Sequence, residues 1–187
     1  GHTTGLDKDG KATVTIKNAY CTQSSCAKDI GSKNAKTKVT NCVMLSDSKF
    51  IGVNAFYNTE LNFNEYWSVR KDTTPMLTNF LAAADETIDV SGLSKDEFKL
   101  NSNNEGFIAS LSQLESFRNK MNAGELSVNK DTVITLTADI EMNEGWTANA
   151  TRPAYEWIPI VGYPGTFDGG GKTISAAYVR ANSGIAG

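Results

Sequence analysis

WIPIVGYPGTFDGGGKTIS, residues 157–175, is the most informative segment of this chain. An apolar run leads into proline and glycine, a short aromatic run follows, and three glycines precede another run of β-favouring residues. Strands this short, separated by turns this tight, are typical of a chain that coils and stacks its coils. The segment therefore predicts stacked β-coils.

The same segment resembles the first coil of GLUG-motif repeat proteins, which bacteria secrete or carry on their surface. The motif is W-x-P-I-G…F-x-G-x-F-D-G-x-G-x-x-I-S, and the matching residues are Trp157, Pro159, Ile160, Gly162, Thr166, Phe167, Asp168, Gly169, Gly171, Ile174 and Ser175. The resemblance covers residues 106–182 well and residues 11–80 more loosely. It implies an extracellular, right-handed parallel β-solenoid. Similar repeats accompany IgA peptidases, whose catalytic residues lie elsewhere in the chain.

A weak internal repeat occurs in the first 80 residues. The segments 15–20 and 38–43 align with Asn18 over Asn41, a spacing of 23 residues that lies in the range of solenoid coils. In such stacks an asparagine at a coil corner bonds its amide to the corner above. We therefore predict that Asn18 and Asn41 are stacked structural residues.

The aromatic residues between Phe50 and Phe80 allow two interpretations. They are interspersed with asparagines and are followed by Pro75-Met76-Leu77, which resembles the closing segment of the same family. Aromatic side chains at that place would cover the end of a coil stack. The alternative is that these aromatic residues, Phe56, Tyr57, Phe63, Tyr66 and Trp67, form a surface that binds sugars.

Three regions follow from these patterns. Residues 1–80 are expected to be the C-terminal end of one repeat array, and residues 81–105 read as a linker. Residues 106–187 are expected to hold a cap helix and the first coils of a following array. The helix is predicted over 109–123, with Ser110 or Ser112 as its N-cap and Gly124 as its stop.

Composition excludes several function classes. The net charge of −3 gives no basic surface for nucleic acid, and no apolar run approaches the roughly 18–20 residues that span a bilayer. Gly1-His2 resembles a tag remnant, and no signal peptide is present. We expect a piece of a longer protein, with neither nucleic-acid binding nor membrane insertion.

Nucleophilic catalysis lacks a base, because the single histidine of the chain is His2. Gly171-Lys172-Thr173 nearly matches a phosphate-binding loop, but a β-favouring run follows it instead of a helix.

Carboxylates are the remaining candidates for catalysis, because hydrolysis of a glycosidic bond requires two carboxylates that face each other. The candidates are Asp139, Glu141, Glu144, Glu156 and Asp168. Asp139 and Asp168 precede turns, where aspartate typically bonds backbone N–H groups.

Metal and disulfide chemistry are weakly indicated. Asp7 and Asp9 hint at calcium, although the glycine and glutamate of an EF-hand loop are not at the required positions. The three cysteines lie in the first half of the chain. Cys21 and Cys26 could close a small disulfide loop, or Cys21 and Cys42 could be buried thiols in one column of the stack. We favour reduced cysteines and no cofactor.

These observations predict a mostly β protein of right-handed parallel β-solenoid coils with one capping helix. We expect a non-catalytic structural or adhesive segment of a bacterial cell-surface or secreted protein, presenting a surface to glycans or cell-surface proteins. The alternatives are a fragment of a carbohydrate-active parallel β-helix enzyme, a polysaccharide lyase or glycoside hydrolase, and a spacer without a ligand. Uncapped coil ends predict a mostly monomeric protein with weak end-to-end association.

Overall fold

A computed structural model describes residues 14–24, 37–147 and 151–180. The chain divides into two compact units, Gly1–Ile88 and Asp89–Gly187. The division falls inside residues 81–105, the range for which we predicted a linker. The part of that range beyond the division belongs to the second unit and contributes the buried side chain of Phe98 to its core.

The first unit contains a pair of long parallel strands, β1 (Val14–Thr22) and β2 (Thr37–Leu45). Asn18 lies opposite Asn41, and the Asn41 Nδ2 donates a hydrogen bond of 2.9 Å to the Asn18 Oδ1. Both residues have φ of 51°, a left-handed conformation that asparagine tolerates better than most residues. This is the register that the 23-residue spacing predicts.

The cysteines of this strand pair do not stack on one another. Cys42 lies opposite Ala19, whereas Cys21 lies opposite Met44, two positions further along both strands. Within the described part of the chain, Cys42 is half-buried and has no disulfide partner. The predicted column of Cys21 over Cys42 is therefore wrong, and Cys26 lies outside the described residues.

The remaining elements of the first unit are short. Strand β3 is the central strand of an antiparallel three-stranded sheet, with β4 on one side and β5 on the other. The elements are α1 (Asp47–Phe50), α2 (Asn54–Asn58), β3 (Trp67–Arg70), β4 (Met76–Leu77), a 3-10 turn (Thr78–Phe80) and β5 (Thr87–Ile88). Their best-buried apolar side chains are Val53, Ala55 and Val69.

The second unit is built on parallel pairing. Its elements are β6 (Glu105–Ile108), α3 (Leu111–Ala123), β7 (Val133–Leu136), β8 (Ile140–Glu141), β9 (Thr166–Asp168) and β10 (Ile174–Ser175). One sheet has the order β6-β7-β9, and β10 pairs with β8 in a second one. Helix α3 connects β6 to β7 and packs its apolar side chains against the first sheet.

The core of the second unit forms where Phe98 crosses β6. A Cβ added at Gly106 would lie 2.3 Å from the Phe98 Cζ, so only glycine leaves room for the ring. Phe98 in turn packs on Phe117 of α3, with ring centroids 4.8 Å apart. Ile134 and Leu136 of β7 complete this contact from the sheet side. The segment before β6 is thus fixed by core packing.

Helix α3 begins and ends close to the predicted positions. Ser110 is the N-cap, since its Oγ accepts a hydrogen bond from the Gln113 N–H at 3.3 Å. Gly124 ends the helix in the left-handed conformation with φ of 70°. At 13 residues α3 is too short to cross a bilayer, and no other helix of the described residues is long and apolar enough to do so.

The predicted β-solenoid is wrong. The described residues form four small sheets, of which one is antiparallel, and they build neither a solenoid nor a closed sheet. A solenoid requires strands of similar length to stack coil after coil. Here β8 and β10 have only two residues each, and the 13-residue helix α3 separates β6 from β7. Parallel pairing therefore occurs locally without continuing through the chain.

The capping of α3 distinguishes the two serines that the sequence leaves as alternatives. Ser110→Ala removes the acceptor for the Gln113 N–H and is expected to lower the free energy of unfolding by about 1 kcal/mol. Ser112→Ala tests the alternative cap and should cost less, because Ser112 is exposed, already inside the helix, and loses only a contact of 3.0 Å with the Ser110 hydroxyl. Urea unfolding monitored by circular dichroism measures both variants. Equal losses would contradict the assignment of Ser110 as the cap.

Candidate functional site

The glycine-rich segment of the motif is a tight turn between β9 and β10. Gly170 donates its N–H to the Asp168 Oδ1 at 2.9 Å, and Gly170 and Gly171 have φ of 56° and 67°. The Asp139 Oδ1 accepts the Thr173 N–H at 2.8 Å. Asp168 thus bonds a backbone N–H of the turn that it precedes, as its position predicts, whereas Asp139 accepts from Thr173, 34 residues further along the chain. Strand β10 follows the turn, so this segment lacks the helix N-terminus that a phosphate loop needs.

The first half of the motif packs against α3. The Trp157 ring lies under the Arg118 guanidinium, 4.9 Å from its Cζ, and the Trp157 N–H donates to the Tyr178 carbonyl at 2.8 Å. The Pro159 carbonyl accepts a 3.0 Å hydrogen bond from the Asn122 Nδ2. Trp157 and Pro159 thus fix the segment to the helix.

The remaining motif residues form turns and strands. Gly162 has φ of 72°, and an added Cβ at Gly169 would meet no described atom within 4 Å. Phe167 in β9 and Ile174 in β10 are 40% and 36% exposed. Their side chains form partly open apolar surface rather than a ligand site.

Arg118 is a buried cation with neutral contacts. It is only 8% exposed, and its Nη1 donates to the Tyr155 hydroxyl at 3.1 Å while Nε and Nη2 donate to the Asn119 Oδ1. Burial, together with a hydrogen bond to Glu115, raises the pKa of Tyr155. This network joins α3 to the segment that contains Trp157.

A cluster of aromatic and charged side chains lies on the surface of the second unit. We call it the aromatic–arginine cluster and define it as Trp146, Arg152, Glu156, Tyr178 and Arg180. The Glu156 Oε2 pairs with the Nη2 of Arg152 and, at 3.5 Å, with the Nη2 of Arg180. The Arg152 Cζ lies 5.7 Å from the centroid of the Tyr178 ring, and the Trp146 ring meets that ring edge-on at 5.9 Å. The cluster therefore places planar guanidinium groups beside aromatic rings.

Asn143 positions the segments that carry this cluster. Its Nδ2 donates to the carbonyls of Tyr155 and Ala176, at 3.1 and 2.9 Å, and its Oδ1 accepts the Tyr155 N–H at 3.2 Å. One side chain therefore connects three segments that are far apart in sequence. Because such hydrogen bonds replace a strand ladder, they hold the irregular loops in place.

The aromatic residues of the first unit divide into packed and exposed groups. Phe56, Tyr57 and Phe63 are half-buried and contact each other, with centroids 5.2 Å apart for Phe56 and Tyr57 and 6.1 Å for Phe56 and Phe63. Burial raises the pKa of Tyr57. Tyr66, in contrast, is 61% exposed. Packing explains the first three rings, whereas Tyr66 and Phe80, which is 71% exposed, lie open to solvent.

Tyr66 lies in the turn immediately before β3. Side chains alternate within β3, so Ser68 and the fully buried Val69 lie on opposite faces. The Tyr66 carbonyl accepts the Thr78 N–H at 2.9 Å, and the hydroxyls of Ser68 and Thr78 lie 3.0 Å apart. We call Tyr66, Ser68 and Thr78 the tyrosine face. It combines an open ring with two hydroxyls.

A polar depression of about 340 Å³ lies near the β3–β5 pair. Four of its five charged residues are paired, Arg70 with Asp85 at 3.5 Å and Lys71 with Glu86 at 3.3 Å, and the fifth is Asp72. The Arg70 guanidinium also donates to the Thr74 carbonyl and to the Thr73 hydroxyl. Most of the charge in the depression is therefore used in contacts within the unit.

The other candidate carboxylates and metal ligands do not converge. The Glu141 Oε1 accepts the Gly145 N–H at 2.8 Å, and Glu144 is exposed. In the part of the chain that the structure describes, no three histidine, cysteine or acidic residues lie close enough to hold a metal ion. Asp7 and Asp9, the calcium candidates, lie outside the described residues.

The aromatic–arginine cluster and Asn143 were missed by the sequence analysis, except for Glu156. Trp146, Tyr178 and Arg180 are spread over 35 positions without a repeating spacing, so no periodic signal connects them.

Comparison of the chain with family models, curated proteins and solved structures found no match. The resemblance to GLUG-motif proteins therefore stays a prediction.

Alanine substitutions in the glycine turn test its geometry. An added Cβ at Gly170 would lie 2.5 Å from the Leu136 carbonyl oxygen in a left-handed backbone, whereas at Gly171 only the backbone is unfavourable. We expect Gly171→Ala to cost about 1 kcal/mol, Gly170→Ala to cost more, and the control Gly169→Ala to cost little. Calorimetric melting gives the order. A neutral Gly170→Ala would disprove the close approach to β7.

Asn143→Ala is expected to lower the free energy of unfolding by about 2 kcal/mol, because three backbone groups lose their partner. Glu144→Ala, at the neighbouring exposed position, serves as the control and should unfold like the parent. Chemical denaturation measures both variants. A loss no larger than that of the control would show that Asn143 does not hold these segments together.

Proposed function

We propose that this chain is a non-catalytic binding segment of an extracellular bacterial protein, and that it presents a surface to glycans. The observation that carries the proposal is the tyrosine face, where Tyr66 is 61% exposed and its carbonyl bonds the N–H of Thr78, whose hydroxyl lies 3.0 Å from that of Ser68. Tyrosine is enriched at binding interfaces, because its ring is apolar while its hydroxyl can exchange hydrogen bonds. The resemblance to secreted repeat proteins supports the extracellular location.

The chemistry of the tyrosine face suits a sugar. The C–H groups of a pyranose ring form an apolar face that can pack on an aromatic ring, while hydroxyl groups at its rim exchange hydrogen bonds with neighbouring polar side chains. The hydroxyls of Ser68 and Thr78 supply such donors and acceptors.

The enzyme alternative receives less support. A glycosidase needs two carboxylates roughly 5–9 Å apart, one on each side of the glycosidic bond. Asp139 and Asp168 instead accept backbone N–H groups, and Glu156 is paired with two arginines. A pure spacer would not need an open tyrosine ring. Binding without turnover is therefore the function that fits these contacts best.

Tyr66→Ala tests the proposal. On an array of neutral glycans, we expect the parent to bind a defined subset and Tyr66→Ala to bind that subset about tenfold more weakly, because the stacking surface is lost. Tyr66→Phe keeps the ring and should keep most of the affinity.

Ile158→Ala is the control, since Ile158 is similarly exposed, at 59%, and lies in the other unit. Each variant is first checked for parental melting. A parent that binds no glycan, or a Tyr66→Ala variant that binds like the parent, would contradict the proposal.

A further inference from the structure

The aromatic–arginine cluster carries more positive than negative charge. Two guanidiniums face the single carboxylate of Glu156, and among the described residues it is the only carboxylate paired with either of them. The 3.5 Å contact of Arg180 is longer than a good hydrogen bond, so its donors remain available. Each guanidinium has five N–H donors in a planar fork that matches a carboxylate. The cluster thus has capacity for one more anion.

The walls of the cluster are aromatic and are held in place. Tyr178 lies between Trp146 and the Arg152 guanidinium, and the Trp146 indole N–H donates to the Thr151 carbonyl at 3.0 Å. The Tyr178 carbonyl accepts the Trp157 N–H, which fixes the backbone behind the ring. Arg152 and Arg180 are 50% and 43% exposed, so a ligand can reach both.

We propose that the aromatic–arginine cluster binds the carboxylate of an acidic sugar, such as a uronic acid residue in a polysaccharide. The carboxylate would accept hydrogen bonds from Arg180 and from the unused donors of Arg152. The sugar ring would lie against the aromatic side chains. This inference rests on the proposed function in taking a saccharide as the ligand, and it adds a charge-selective site on the other unit.

Glu156 is the internal competitor of such a ligand. Its carboxylate occupies the place at the guanidiniums that the carboxylate of the ligand would share. Removing it therefore frees donors and raises the local positive charge. If the cluster is a binding site, Glu156→Gln should strengthen binding of the acidic sugar. If its residues form only surface ion pairs, the same substitution should have the opposite effect.

The test uses the intact chain, tetragalacturonate and its methyl ester in titration calorimetry. The ester keeps the sugar rings and removes the charges. We expect the acid to bind at least tenfold more tightly than the ester. Added salt should weaken binding of the acid and leave binding of the ester unchanged. Arg180→Gln should lower the affinity for the acid about tenfold, and Glu156→Gln should raise that affinity. Lys130→Gln, an exposed lysine paired with Asp131, removes the same charge elsewhere and should have little effect.

Several results would overturn the inference. These are equal affinities for acid and ester, an unchanged Arg180→Gln variant, or weaker binding in a Glu156→Gln variant that melts like the parent. If Glu156→Gln does not fold, Arg180→Lys replaces it, since it keeps the charge but loses the fork and should bind with intermediate affinity. A tetraglutamate peptide that binds as tightly as the acid would reject the saccharide assignment.

The same titrations separate this inference from the proposed function. Binding of neutral glycans that is sensitive to Tyr66→Ala, without preference for the acid, rejects the acidic site alone. Acid-selective binding that is sensitive to Arg180→Gln, with no effect of Tyr66→Ala on any glycan, rejects the tyrosine face alone. Absence of all saccharide binding rejects both.

Discussion

The second unit depends on the absence of a side chain at Gly106. The space that a Cβ would need is filled by the Phe98 ring, which reaches through to stack on Phe117. An isolated bridge between Leu100 and Gly106 then lays the preceding segment along the free edge of β6. Because one aromatic ring contacts both the sheet and α3, the start of the unit, its sheet edge and its helix are fixed by a single contact.

Outside the strands, side chains supply the hydrogen bonds that backbone groups receive from a neighbouring strand within a sheet. The described residues of the connection from β8 to β9 form neither helix nor strand, yet polar backbone atoms there find partners in Asn143 and Asn122, and Arg118 packs over Trp157. Buried or half-buried peptide groups must be paired, and these side chains pair them. The binding residues proposed for the second unit therefore sit on loops whose geometry is set by a few specific amides.

Local features of this chain could be predicted from sequence, and long-range ones could not. Periodicity and capping place the helix near 111–123, and a shared spacing aligns Asn18 with Asn41. The apolar side chain of Phe98 indicates that part of the predicted linker docks on a neighbouring element, but the surface that it meets depends on the gap at Gly106, which no sequence pattern marks. Arg180 joins Glu156 through loops that no repeating pattern connects. The β-solenoid failed for a related reason: a motif specifies one turn, but stacking requires matched strand lengths along the whole chain.

The left-handed asparagines of β1 and β2 also have a mechanical consequence. A slip of one residue between the two strands would place a different side chain in the unfavourable backbone conformation of Asn18 and Asn41 and would break their amide bond. A force applied between the start of β1 and the end of β2 runs along the strands and loads the whole ladder of hydrogen bonds at once. Such a pair resists pulling in shear, whereas a hairpin opened from its end breaks one bond at a time.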